Sequence, residues 1–264
     1  MEIFGYIASA LIGISLGMIG GGGSILTVPV LVYIFQVEPT LATAYSLFIV
    51  GTTALVGGIR SYMDGQVDLK TAVIFAIPSF IAVYLTRRFM IPAIPAEIMT
   101  IDSFVLTKNM ALMLFFALIM LSASVSMLKS KKENKAAEKE GYNYPMIVLE
   151  GSVVGVLTGI VGAGGGFLII PALVIFGGIP MRMAVGTSLM IIAAKSLIGF
   201  LGDIGSGQSI DYIFLLTISV IAVAGIFAGT YFSKKVDCGN LKKGFGWFVL
   251  VMAVYILIKE TMLR

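Results

Sequence analysis

Shifting the sequence by 142 positions lays residues 13 to 57 on residues 155 to 199 without a gap, and about a third of the pairs are identical. One structural unit has been made twice. The matches cluster where a glycine run interrupts apolar sequence, GISLGMIGGGGSILTVPVLV in the first copy and GVLTGIVGAGGGFLIIPALV in the second. Gly13, Gly17, Gly20, Gly22, Gly23, Leu26, Pro29 and Leu31 superpose on Gly155, Gly159, Gly162, Gly164, Gly165, Leu168, Pro171 and Leu173. Breaks at corresponding positions of two apolar halves point to a transport site where the copies meet.

What surrounds the breaks is too apolar for water. Hydrophobic residues make up 58% of the chain and charged residues 12%, more apolar surface than a soluble domain of 264 residues can bury. Apolar segments run approximately over 3–19, 25–36, 41–59, 71–86, 110–128, 146–161, 167–179, 183–202, 212–232 and 245–258. Helix is the state expected of them, because the alternation of a membrane barrel is absent and open backbone cannot face lipid. The fold class expected is therefore an all-α polytopic membrane protein. Segments 25–36 and 167–179 are short for a bilayer about 30 Å thick, so they are half-helices or strongly tilted. Glu2 and the lack of Lys or Arg before the first apolar run make that run a retained membrane segment rather than a cleaved signal.

The charged stretch KSKKENKAAEKEGYNYP, residues 129–145, divides a first membrane unit, 1–128, from a second, 146–264. Its lysines place it in the cytoplasm by the positive-inside bias, as a solvated linker. An even number of crossings per copy would then put Lys234, Lys235, Lys242 and Lys243 outside. If the segments flanking each glycine run instead form a hairpin that returns to its starting face, each copy crosses an odd number of times: a hairpin and then three transmembrane helices. Arg60, Lys70, Arg182 and those four lysines then lie inside, while the Glu38 turn and the loop from Asp203 to Asp211 lie outside. Arg87, Arg88 and Lys108 are misplaced, in a loop shared with Glu97 and Asp102. An odd count makes the copies inverted, with both termini extracytoplasmic.

Glycines four apart, Gly13 with Gly17 and Gly155 with Gly159, let helix backbones approach closely. The runs that follow, Gly20 to Gly23 and Gly164 to Gly166, are expected to unwind the chain, since each glycine costs about 1 kcal/mol against alanine inside a helix. A helix restarting near Ser24 or Gly166 would present free amides and the positive end of its dipole to an anion. Pro29 and Pro171 fit near the start of such helices; the bland alternative is two tight turns. Lys195 lies deep in AVGTSLMIIAAKSLIGFLGD, where a charge is expensive unless it faces a cavity or partner; it either points at the glycine breaks or, more blandly, snorkels or pairs with Glu150. Its counterpart is Thr53. Ser46 and Ser188 coincide under the repeat and either complete a polar cavity or bond their own helices. Asp68 and Asp211 read as helix N-caps.

No catalytic constellation or phosphate-binding loop is present in the sequence, so an enzyme is not expected. Without histidine, and with Cys238 alone in a polar loop, neither a metal site nor any cofactor is expected. The surplus of four positive charges follows the loops rather than a nucleic-acid surface. The partners expected are a small anion and the bilayer, with a homodimer left open.

Two copies of GxxxGxxGxGGGxxxxP, nearly complete in each, then a helix from Ala42 to Ser46 or Ala184 to Ser188, then a turn from Gly65 to Asp68 or Gly207 to Asp211, together resemble the TauE/SafE family of sulfite exporters and anion permeases. The likeness spans essentially the whole chain. Ser24 stands where the second copy has Gly166, and Ala163 where the first has Gly21. The resemblance implies export of sulfite or a similar small sulfur-containing anion across the cytoplasmic membrane without ATP. With the residues above, it makes Gly22, Gly23, Ser24, Ser46, Thr53, Gly164, Gly165, Gly166, Ser188 and Lys195 the expected substrate site of an alternating-access carrier. An anion channel, or a membrane scaffold or enzyme, is the alternative.

Overall fold

The computed structural model describes residues 2–101, 104–129, 144–162, 164–175, 179–204, 210–233 and 238–262. The first copy begins with α1 (Glu2–Ile19), which runs into a 3-10 segment (Gly20–Leu26), one α turn (Thr27–Pro29) and a π turn (Val30–Ile34). Then come α2 (Pro39–Met63) and α3 (Leu69–Leu85), which continues through a π turn (Thr86–Met90) to Ile91–Ala93. After a hairpin of β1 (Glu97–Ile101) and β2 (Phe104–Thr107), α4 (Lys108–Lys129) closes the copy. The second copy holds α5 (Tyr144–Val161), α6 (Gly166–Ile175), α7 (Met181–Ile204), α8 (Tyr212–Ser233) and α9 (Cys238–Met262). Lys131, Lys132, Lys135 and Lys139 of the linker, Ala163, Gly207, Lys234 and Lys235 lie outside the described residues.

The chain is an all-α polytopic membrane protein. Among the described residues, Pro39–Met63, Leu69–Ala93, Lys108–Val125, Arg182–Ile204 and Tyr212–Phe232 are long and apolar enough to cross a bilayer. On α8, Ile213, Leu216, Val220, Phe227 and Tyr231 form an exposed stripe at helical spacing. Such a stripe suits lipid and would be a liability in water. The two short segments are short in the structure as well: α6 has 10 residues, about 15 Å of helix.

Helix contacts exchange under the repeat. Helix α1 packs on α8, and its counterpart α5 packs on α3, the counterpart of α8. A Cβ on Gly13 would strike the carbonyl of Ala222, and one on Gly155 would strike that of Ser79. Residues 79 and 222 correspond once the second Gly-to-Asp turn is allowed its one extra residue. Gly57 faces Leu189 and Ile226, while Gly199 faces the equivalent Leu47 and Val83. Helices α2 and α7, themselves copies of one element, pair across the centre and run antiparallel: Leu47 meets Gly199, Gly51 meets Leu197 and Gly58 meets Met190. The small-residue spacing read from the sequence thus sits at close backbone crossings.

The aspartate that ends each Gly-to-Asp turn caps the next helix and bonds to the other copy. Asp68 accepts from the amides of Lys70 and Thr71, and Asp211 from those of Ile213 and Phe214. The Asp68 amide donates to the Thr187 hydroxyl, and the Asp211 amide to the hydroxyl of Tyr45, the residue equivalent to Thr187. Asp211→Ala is expected to cost about 0.5–2 kcal/mol, seen as a lower melting temperature in detergent with the binding residues intact.

Three expectations are corrected here. The stretch after α3 is not a charged loop: helix continues through Arg87 and Arg88 to Ala93. Pro95 then ends it, and the β-branched run Ile98, Thr100, Ile101, Val105 and Thr107 pairs as a hairpin. Asp203 belongs to the last turn of α7 rather than to the following loop, and Cys238 opens α9 rather than lying in a loop.

Candidate functional site

Both breaks begin on a left-handed glycine. Gly20 (φ 68°) ends α1 and Gly162 (φ 72°) ends α5, a conformation that L side chains rarely adopt. Beyond them the copies diverge. Gly164 (φ 64°) and Gly165 (φ 66°) keep the second break open until α6 starts at Gly166. In the first copy Gly21, Gly22 and Gly23 instead wind as 3-10 helix, and the Ser24 hydroxyl donates to the Gly21 carbonyl at 2.7 Å. The expected restart of a helix near Ser24 is therefore replaced by a continuous tightened coil. Ser24, unlike glycine, carries a hydroxyl that can satisfy that turn.

The two breaks meet. A Cβ on Gly21 would collide with the Gly166 backbone, and one on Gly166 with the Gly21 backbone. Gly164 packs against Val50 and Ile192, equivalent residues of α2 and α7, and against Ser24. The junction therefore sits at the central crossing of α2 and α7. Leu168 and Ile169 donate their amides to the Gly165 carbonyl, so the α6 amides that precede them, at Gly166 and Phe167, open toward the break.

Lys195 projects from α7 onto this junction. It is 1% exposed, and its ammonium lies 2.8 Å from where a Gly165 Cβ would stand. It donates to the Thr158 hydroxyl of α5 at 3.2 Å, not to Glu150. Among the described residues no carboxylate lies within ion-pair distance of it. A Cβ on Gly23 would instead meet Ser15 and the amide of Leu16, and Leu16 is the apolar equivalent of Thr158. The Thr53 hydroxyl, in the Lys195 position of the first copy, bonds its own helix at the Ile49 carbonyl. The junction is thus charged from one side.

The other expected hydroxyls stand further off in role. Ser188 lies two turns before Lys195 on the same face of α7 and donates to the Val185 carbonyl. Ser46, the matching residue on α2, is buried with no hydrogen-bond partner for its hydroxyl. The sequence reading missed Thr158 and a second charged group. Arg87 is fully buried with Asp203, 3.5 Å away, and its Nη1 also donates to the Thr43 hydroxyl at 2.9 Å. The signal was there: both charges interrupt apolar stretches, VYLTRRFMIP and GFLGDIG, one in each copy.

A curated relative from Xylella fastidiosa (strain Temecula1 / ATCC 700964), a probable membrane transporter protein, is 29% identical over 95% of this chain and 92% of its own length. The probable membrane transporter protein YdhB of Bacillus subtilis (strain 168) is 30% identical over 85% of this chain and 87% of its own. A third from Haemophilus influenzae, also a probable membrane transporter protein, is 26% identical over 96% and 97%. No solved structure gives a significant match. The family model described as sulfite exporter TauE/SafE matches residues 6–256, a span that holds both glycine modules and their meeting point, and the chain belongs to the TauE/SafE family.

Proposed function

We propose that the protein is a secondary transporter that exports a small sulfur-containing anion, sulfite or an organosulfonate, across the cytoplasmic membrane by alternating access. The observation that carries this reading is Lys195: a buried ammonium with no carboxylate beside it among the described residues, held against the junction of two glycine breaks. Charge buried in this way is costly unless a ligand completes it. The anion would sit on Lys195, with amides around Gly22, Gly23 and Ser24 and around Gly164, Gly165 and Gly166 as donors. Ser46, Thr53 and Ser188 would line the approach. The transporter names of the relatives and the family description agree with this reading.

The copies are proposed to be inverted in the membrane. The antiparallel pairing of α2 with α7 supports this, since equivalent helices that run antiparallel are related by an axis across them. A rocking motion about that axis would expose the junction to each side in turn. In proteoliposomes, sulfite, sulfoacetate, thiosulfate or sulfate should be taken up down its gradient; no flux of any of them overturns the transport reading. For topology, Gly239→Cys in a Cys238→Ser background should resist an impermeant thiol reagent applied from outside. Labelling there would sink the inverted arrangement.

A further inference from the structure

Arg87 asks for more than its ion pair supplies. It is 0% exposed, and its guanidinium reaches Asp203 through one nitrogen, at 3.5 Å, and Thr43 through the same nitrogen. Nε and Nη2 have no hydrogen-bond partner. A bridge built for stability would present the planar fork to both carboxylate oxygens, and leaving buried donors unmade is expensive. Nη2 lies 2.7 Å from where a Cβ on Gly162 would stand, so it faces the first residue of the second glycine break. Lys195 lies against Gly165 of that same break. Two buried cations therefore flank one break, with Asp203 the one carboxylate in contact with either among the described residues.

We infer that Arg87 is a second anion-binding residue on the other flank of the break, taking a small oxyanion on its Nε and Nη2 edge in exchange for Asp203. This extends the transport reading above, in which Lys195 is the first station. Two adjacent oxygens of a sulfite or sulfonate group match two parallel N–H bonds of a guanidinium; a halide offers one point and gains nothing from the fork. Asp203 is the internal placeholder, a carboxylate that neutralises Arg87 at one contact and can be displaced by a better-matched ligand. The arrangement occurs in one copy only, because the position equivalent to Arg87 is Thr230. Oxyanion selectivity and the charge of the junction thus reside in the same half of the site.

The test is binding to the full chain purified in detergent, by calorimetry with sulfite, sulfoacetate and chloride. Arg87→Lys, which keeps the charge and loses the fork, is expected to weaken sulfite and sulfoacetate by roughly tenfold to a hundredfold and to leave chloride unchanged. Lys195→Met should retain residual sulfite binding that Arg87→Lys then removes. Arg87→Gln combined with Asp203→Asn removes both charges together, so that neither is left buried without its partner, and should also lose the preference for oxyanions, which guards against a simple folding defect. Wild-type sulfite affinity in Arg87→Lys, or in the double neutral variant, overturns the inference. Binding read in detergent is independent of flux, so a protein that binds through Arg87 yet moves no anion would refute transport alone.

Discussion

Lys195→Met should remove most oxyanion flux while making the protein harder to melt. Loss of a charge-assisted contact of about 1.5–3 kcal/mol corresponds to roughly a tenfold to hundredfold loss of affinity, so initial rates at low substrate should fall by at least about tenfold. Stability should move the other way. The lysine is buried among Thr158, Gly165 and the junction with no carboxylate beside it among the described residues, and methionine, one heavy atom shorter, fills most of its space without bringing a charge out of water. A raised melting temperature together with lost flux marks a residue kept for function. If Lys195 were structural, the same substitution would lower the melting temperature and leave flux per folded molecule unchanged. Full flux in Lys195→Met would remove it from the site.

Much of the fold was legible in the sequence because periodicity and composition act locally. Apolar stretches announced every helix, and glycines four apart announced the α1–α8 and α3–α5 crossings, since close backbone approach admits little else. Lys195 stood out as a charge far from any helix end. Arg87 and Asp203 were passed over although both interrupt apolar sequence, because Arg87 stands next to Arg88 and a run of charges reads as a loop, and Asp203 lies in the last turn of its helix, where charge usually means solvent. Their pairing needs α3 and α7 to be brought together, and no local signal carries that. The hairpin over 97–107 was hidden for a different reason: its β-branched residues follow Glu97 and are interrupted by Asp102, and those two charges read as a loop. Ser24 shows a third kind of miss. The two breaks look alike in sequence, yet the first winds as a 3-10 coil with the Ser24 hydroxyl on the Gly21 carbonyl, while the second stays open on Gly164 and Gly165.

Gly21→Ala and Gly166→Ala should each be severely destabilising, and together they should cost less than their sum. Each added methyl would meet backbone of the opposite break, and the one on Gly21 the tip of Ile192 as well, so the clash cannot be relieved without moving a segment. Overpacking of this kind costs about 1–3 kcal/mol in a well-packed core and more where main chain must shift. The expected readout is a broad, aggregated profile on size exclusion and a melting temperature several degrees lower. Gly244→Ala is the control: it lies within α9 with nothing within 4 Å of its added Cβ, and alanine there should be neutral or stabilising by about 0.5–1 kcal/mol. Once one substitution has pushed the breaks apart, the second methyl finds space already opened. The cycle should therefore show a coupling of at least about 0.5 kcal/mol. Additive costs would mean that the two breaks do not touch, and a substrate shared between them would have no place to sit.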